Sequence, residues 1–542
     1  MRTIKSLVVV LLFVWIISST GCLQPEKPVE EPPVTPVKPE KVEVSEEDKY
    51  GGTLRIAIGT DPKRLDPAFS TDTVTGRIVQ QLFNGLVQFK PGSTEIIPDL
   101  AESWEISEDG KVYTFKIRRG VKFHNGREVT AHDFEYSFKR VMDPETASPR
   151  ANFYEEVEEV KAVDDYTFQI KLKRPFAPFI SKLAYSCFFV VPREEVERLG
   201  DAGFGERPVG TGPFILKEWK HDDRLILVAN EDYYAGRPYL DKIVVRVIPE
   251  PQTALLEFEN GNLDLTGIPV AEWERITQRS KWKDYVITSP TLNVFYIGLH
   301  CQKKPFKDVR VRRALSYALD PGVIVDTILK GRAVRATGVL PPGMPCYKER
   351  PTPYPRNPEK AKQLLKEAGY PDGLEFTLIS YESPDQQQFN EVYLEQLKGT
   401  GFKMRIEQRD FGTLTELVDK GDVEAYTLGW IADYPDPENF LQVLLHSKNW
   451  GPAGNGVRYK NEEVDRLLDQ AVLETDMEKR CELYQKAEDI IISEAPWIFT
   501  WHRIDSLVHQ PWVHGIHLGP MGFNQERLNT IWLDPSHREQ EK

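Results

Sequence analysis

The sequence predicts an α/β protein, and three observations carry that prediction. First, from about Phe89 to Leu172 the chain is strand-rich. Val112-Tyr-Thr-Phe-Lys-Ile117 and Thr167-Phe-Gln-Ile-Lys-Leu172 alternate apolar and polar residues with the two-residue period of a half-buried strand. Second, after Asn293 short strand-like runs alternate with amphipathic helical ones, a pattern that implies a mostly parallel sheet. Third, 542 residues at 40% hydrophobic content suffice for two to four domains and a large core.

Taken in order, the chain begins with a short basic segment, Met1 to Lys5, and an unbroken apolar run, Leu7 to Ile17. That run has the length of a signal h-region and is short for a transmembrane helix. Ser19-Thr-Gly-Cys22 follows and resembles the lipobox of prokaryotic lipoproteins, with Ser19 where that motif usually carries Leu, Val or Ile. The expectation is export, with Cys22 lipidated. Residues 23–49 are rich in Pro, Glu, Lys and Val without amphipathic period, so they form an extended tether rather than a core. Thr53 to Ile58 reads as a strand, and Ile78, Leu82 and Leu86 mark a helix. A helix from Ala131 to Val141 interrupts the strand-rich stretch, with Thr130 placed to cap it.

In the second half, Asp308 caps a helix bearing Val311, Leu315, Ala318 and Leu319. Asn357-Pro358 opens another with Ala361, Leu364, Leu365 and Ala368 on one face and Gly369 beyond its end. Then come a strand from Leu374 to Ile379, a helix from Gln386 to Leu397, a strand at Phe402, Met404 and Ile406, and a short helix from Leu414 to Asp419. An apolar strand runs from Val423 to Trp430, and two long helices, 462–473 and 477–492, precede Trp497 to Trp501.

Composition narrows the function. The formal charge is −14, from 69 basic against 83 acidic side chains, which argues against nucleic acid as a partner. There is no Gly-x-Ser-x-Gly elbow, P-loop or His-Glu-x-x-His, and the Gly-Thr-Gly near Gly210 lacks a third glycine. His509, His514 and His517 fit a polar C-terminal segment better than a metal site, and Asp164-Asp165 fits a solvated turn. No catalytic residue, metal ligand or cofactor is expected. Cys187, Cys301, Cys346 and Cys481 form no Cys-x-x-Cys pair; a bond between Cys301 and Cys346 and four buried free thiols both remain open. The most informative stretch is Gly429-Trp-Ile-Ala-Asp433-Tyr-Pro-Asp-Pro. A carboxylate at the end of a buried strand needs a partner, and the carboxyl ends of parallel strands are where such sheets bind ligands. Asp433, Asp436 and Glu438 could form a hard-metal loop, but the prolines and aromatics fit a shaped pocket better.

These residues resemble a known family. Pro98-Asp-Leu-Ala-Glu-Ser-Trp104, Gly110 to Gly126, Thr130-Ala-His-Asp-Phe134, Val209-Gly-Thr-Gly-Pro-Phe214, Asn230-Glu-Asp-Tyr-Tyr234, Phe306 to Asp320 and Asn357 to Tyr370 occur in the order found in extracellular solute-binding proteins of family 5. These serve ABC transporters for dipeptides, oligopeptides and nickel. The resemblance runs from Gly51 to about Asp534 and implies a two-lobed clamp with mixed α/β sheets. It implies a discontinuous domain I (50–88, 173–290 and 505–535), a strand-rich domain II (89–172) and an α/β domain III (291–504). It also implies a monomer on the outer face of a membrane or in a periplasm, delivering solute to a permease. By the family pattern Asp433 pairs with a peptide ammonium and Trp430 forms a wall. The strand Thr427, Gly429 and Ile431 lends backbone groups to an extended ligand. Thr71, Asp72 and Thr73 face them from the other lobe, and Tyr296 borders the cleft. Some peptide binders carry an Arg at the position of Thr427 for a ligand carboxylate. Its absence here leaves peptide length open and keeps an oligosaccharide as the alternative ligand.

Overall fold

The computed structural model describes residues 44–540; the signal segment, Cys22 and most of the tether lie outside the described residues. Among these, no helix is long and apolar enough to cross a membrane. The strand Thr53–Ile58 pairs in parallel with Lys242–Val247, which continues antiparallel into Arg224–Ala229 and Phe214–Lys220. Alternate residues Leu54, Ile56 and Ile58 face inward, as a strand with one covered face requires. The first helix, Thr73–Leu82, ends before Leu86, which lies in the following turn.

The strand-rich stretch forms its own antiparallel sheet in the spatial order Ala101–Ile106, Val112–Ile117, Thr167–Leu172, Val157–Asp164. The helix Ala131–Met142 covers it, held at its start by a reciprocal capping box between Thr130 and Asp133. Phe134 and Phe138 of that helix pack against Phe168 of the sheet.

The third and largest sheet runs in the order Leu265–Gly267, Trp497–His509, Asn293–Leu299, Ala425–Ile431, Leu374–Tyr381, Phe402–Arg409, with Val286–Pro290 and Ala333–Arg335 also paired to the long Trp497–His509 strand. Its pairings are parallel only where Leu374–Tyr381 meets its two neighbours. The expected mostly parallel sheet is therefore a mixed one. Two strands that interrupt the helix-linked pattern, Asn293–Leu299 and Trp497–His509, enter antiparallel through the middle. The predicted caps form: Asp308 accepts from Arg310 N–H at 2.8 Å and Asn357 from Lys360 N–H at 2.9 Å. Cys346 is bonded to Cys481, while Cys187 and Cys301 are buried free thiols. Cys301 does not pair with Cys346; its thiol donates instead to the Leu299 carbonyl at 3.3 Å inside the core.

The strand-rich and α/β parts meet beyond the end of the Ala425–Ile431 strand. Tyr434 inserts into the apolar core of the strand-rich part, edge-on to Phe153 at 6.3 Å. Ala177 N–H donates to the Val472 carbonyl at 2.9 Å.

Candidate functional site

The Ala425–Ile431 strand has one complete edge and one broken edge. On the first it runs antiparallel to Asn293–Leu299, with Ile431 opposite Asn293, Gly429 opposite Phe295 and Thr427 opposite Ile297. Two bonds fix the phase of this ladder: His300 N–H donates to Glu424 C=O at 2.9 Å, and Ala432 N–H to Leu292 C=O at 2.8 Å. Antiparallel ladders alternate, so residues 426, 428 and 430 also turn their backbone groups to this neighbour. Thr427, Gly429 and Ile431 turn theirs the other way. There, Leu374–Tyr381 pairs with the strand only at Ala425 and Tyr426. The Ile379–Tyr426 pairing takes up the Thr427 N–H; beyond it, among the described residues, no strand pairs with this edge, and the Thr427 C=O and the backbone groups of Gly429 and Ile431 face the gap. Gly429 is required for shape: a Cβ there would come within 2.6 Å of the Phe295 ring.

Asp433 stands at the head of this open edge, half-buried. Asn439 fixes the turn: its Oδ1 accepts from Asp433 N–H at 3.0 Å and from Trp430 Nε1–H at 3.1 Å. The Asp433 carboxyl is held above the ordinary Asp range by burial. Arg150, hydrogen bonds from Asn439 and Tyr185, and Lys182 oppose that shift without reversing it. None of these cations forms an ion pair with Asp433, so the acid sits half-buried without a full counter-charge. Tyr185 links it to the rest of the molecule. The Tyr185 hydroxyl accepts from an Arg150 guanidinium nitrogen at 3.0 Å, and Arg150 Nε–H donates to Ser70 C=O at 2.8 Å. A chain of contacts thus runs from the residue preceding Thr71 to Asp433.

The remaining anticipated residues are placed as follows. Asp72 caps the Thr73–Leu82 helix, accepting from Thr75 N–H at 2.8 Å and from the Thr75 hydroxyl at 2.9 Å; Thr71 and Thr73 beside it are exposed. Trp430 is half-buried against the α/β core, Thr427 is buried and Ile431 is 59% exposed. Tyr296 lies inside the core, stacked on Trp497 at 3.7 Å. The structure brings Thr427, Gly429, Trp430, Ile431 and Asp433 together, links them to the start of the first helix through Ser70, and sets Tyr296 in the layer beneath.

Asp436 and Glu438 do not converge with Asp433. Asp436 accepts from Arg480 at 2.6 Å and Glu438 from the Tyr434 hydroxyl at 2.5 Å. Among the described residues, no group of three His, Cys, Asp or Glu is placed to hold a metal ion. The free thiols make poor nucleophiles: burial pushes Cys187 up to about 12 and Cys301 up to about 11. Arg150, Tyr185, Lys182 and Asn439 were not anticipated. The first three reach Asp433 across more than 240 residues of sequence and carry no local signal. Asn439 lies in the first turn of the helix Glu438–Leu445, six residues after Asp433, where an amide close in sequence to a strand end is a legible partner for its turn.

The geometry suits a cationic head group followed by an extended backbone, with no chemistry performed. Residues 95–452 match the bacterial extracellular solute-binding proteins, family 5. The chain is 36% identical over 499 residues to a heme-binding protein A of Haemophilus influenzae, covering 87% of this chain and 90% of that one. It is 31% identical over 503 residues to the dipeptide-binding protein of Escherichia coli, covering 87% and 93%. Among solved structures, the Helicobacter pylori periplasmic binding protein DppA, in complex with peptide STSA, superposes with a TM-score of 0.78 at 32% identity, covering 90% of this chain and 99% of that one. HbpA2 of Haemophilus parasuis gives 0.80 at 31% identity, covering 89% and 100%. The chain belongs to the bacterial extracellular solute-binding proteins of family 5, non-catalytic binding components of ABC transporters.

Proposed function

We propose that this protein captures short peptides by their free N-terminus and delivers them to the membrane permease of an ABC importer. The observation that carries this reading is Asp433, half-buried without an ion pair, at the head of a strand whose outer edge has no strand partner beyond the Thr427 N–H, which leaves the Thr427 C=O, Gly429 and Ile431 open among the described residues. A peptide ammonium supplies the missing charge, and an extended peptide supplies the missing strand. Backbone pairing does not depend on side chains, so many sequences can be accepted. Relatives named for haem, dipeptides and glutathione define the competing ligands, with an oligosaccharide as the further alternative.

The clamp closes by hinge motion, domain I with II against domain III, about the crossings near residues 290 and 505. Only a ligand with greater affinity for the closed state can shift that equilibrium. Cys22 carries the lipid that holds the protein at the membrane, and residues 23–49 give it reach. Cys22→Ser should release the protein from the membrane fraction or leave it on an uncleaved signal.

Calorimetry with di-, tri- and tetrapeptides, their N-acetylated forms, glutathione, haem and maltooligosaccharides tests the reading. Free-amine peptides should bind and acetylated ones should bind at least a hundredfold more weakly. Equal binding of the two forms would remove Asp433 as an amine anchor and move the alternatives ahead.

A further inference from the structure

A cavity of about 540 Å³ opens beside Asp433 and Trp430, between the strand-rich and α/β parts. Its lining includes Lys182, at the end of the short helix Phe179–Lys182. Lys182 is only 8% exposed. Its ammonium is surrounded by the rings of Phe153, Phe176 and Tyr434, with centroids at 5.5, 5.2 and 5.6 Å. Among the described residues, no oxygen accepts a hydrogen bond from it and no carboxylate pairs with it. Ring faces attract a cation but accept none of its three N–H donors, and no protein acceptor meets them in the cavity wall.

Of the four acids that line the cavity, Glu155 is exposed and the other three are already engaged. Glu156 accepts two bonds from Arg174, at 2.8 and 3.0 Å. Glu438 takes the Tyr434 hydroxyl, and Asp433 takes Tyr185. None of these three accepts a hydrogen bond from Lys182. A second orphan faces the same cavity: Gln442 is 4% exposed, and its Oε1 has no donor. A cavity bounded by Asp433 on one side, with an ammonium that has no protein acceptor in its wall, suits a group that extends from the ligand's first residue and ends in oxygen.

We propose that this cavity is the side-chain pocket for the first residue of the peptide, and that Lys182 makes it select a terminal oxygen acceptor, a glutamate carboxylate above all. This rests on the reading of Asp433 as the amine anchor. The ammonium on Asp433 fixes the first Cα at the cavity mouth. A glutamate chain then points its carboxylate at Lys182, forming the charge-assisted bonds that the protein itself withholds. A glutamine amide offers its carbonyl to Lys182 and its N–H to Gln442 Oε1, without the charge. A lysine side chain meets an ammonium of its own sign.

The test is calorimetry of Glu-Ala-Ala, Gln-Ala-Ala, Ala-Ala-Ala and Lys-Ala-Ala on the wild type and on Lys182→Met, which keeps the chain length within the aromatic cage. The wild type should bind Glu-Ala-Ala at least tenfold more tightly than Ala-Ala-Ala, with Gln-Ala-Ala between them and Lys-Ala-Ala weakest. Lys182→Met should bring the Glu-to-Ala ratio to within about twofold of one. A wild-type ratio near one overturns the pocket assignment whether or not the variant folds. So does a tenfold ratio that survives in Lys182→Met. If none of the four peptides binds the wild type, it is the peptide reading itself that falls.

Discussion

Two aspartates three residues apart in one loop meet opposite electrostatic surroundings. Asp436 points into the α/β part. Its carboxylate pairs with Arg480 at 2.6 Å, with side chains 4% and 5% exposed, and it also accepts from Glu438 N–H. Asp433 points to the gap between the strand-rich and α/β parts, takes only neutral hydrogen-bond donors, and has its carboxyl raised by burial. The same residue type is satisfied in one place and left short of a counter-charge in the other.

The sharpest way to break the comparison is to delete each acid. Asp436→Ala leaves Arg480 buried and uncompensated, which costs about 3–5 kcal/mol of folding stability. A denaturant titration should show that loss. A double change, Asp436→Leu with Arg480→Met, should recover much of it, because an apolar pair of similar size avoids the desolvation of two charges. Asp433→Ala should do the opposite. The melting temperature of the empty protein should hardly move, while peptide affinity falls by roughly a hundred- to a few thousand-fold, since about 1.4 kcal/mol is tenfold. N-acetylation of the peptide removes the same interaction, so mutation and acetylation should not add. Additive losses would separate Asp433 from the ligand's amine.

That division was half legible in the sequence. A carboxylate at the carboxyl end of a strand-like run marked Asp433, and local signals marked the helix starts at Thr130, Asp308 and Asn357, each of which forms its cap. Local signals stop at contacts made across the chain. Arg480 lies 44 residues from Asp436, and nothing in the Asp433 loop announces which acid that arginine takes. Nor does alternation of strands and helices tell that Asn293–Leu299 and Trp497–His509 insert antiparallel. The splay that frees Gly429 follows from where Leu374–Tyr381 stops pairing. That is a property of the assembled sheet.

A smaller effect concerns pH. Burial raises the Asp433 carboxyl in the empty protein, and a bound ammonium would lower it again. Affinity should therefore be flat between the empty-state pKa and about pH 8, above which the peptide amine loses its charge. Below it, affinity should fall by up to about tenfold per pH unit, as a proton competes with the ligand. The stability sign is the reverse of the usual carboxylate case. Because the folded pKa is raised, the contribution of Asp433 is present below its unfolded pKa and is lost as pH rises through its folded pKa. The empty Asp433→Asn protein should thus be as stable as the wild type near neutrality, or slightly more so. Its residual peptide binding should lose this acid limb. An unchanged limb in Asp433→Asn would assign the titration to another group.

The smallest effect isolates the turn that aims Asp433. Asn439 Oδ1 accepts from both Asp433 N–H and Trp430 Nε1–H, and its side chain also helps hold the Asp433 charge. Asn439→Ala removes these bonds, each worth about 0.5–1.5 kcal/mol. Water in the adjoining cavity can replace part of them, so affinity should fall about three- to tenfold with a modest drop in melting temperature. Asn439→Asp separates aim from charge. It restores the acceptor for both N–H groups, and so should regain most of the lost stability. It also places a second carboxylate beside Asp433, which raises the Asp433 pKa further and moves the acid limb of binding to higher pH. If Asn439→Asp instead recovers wild-type stability with the limb unmoved, Asn439 acts on the backbone of this turn alone and has no part in tuning the acid.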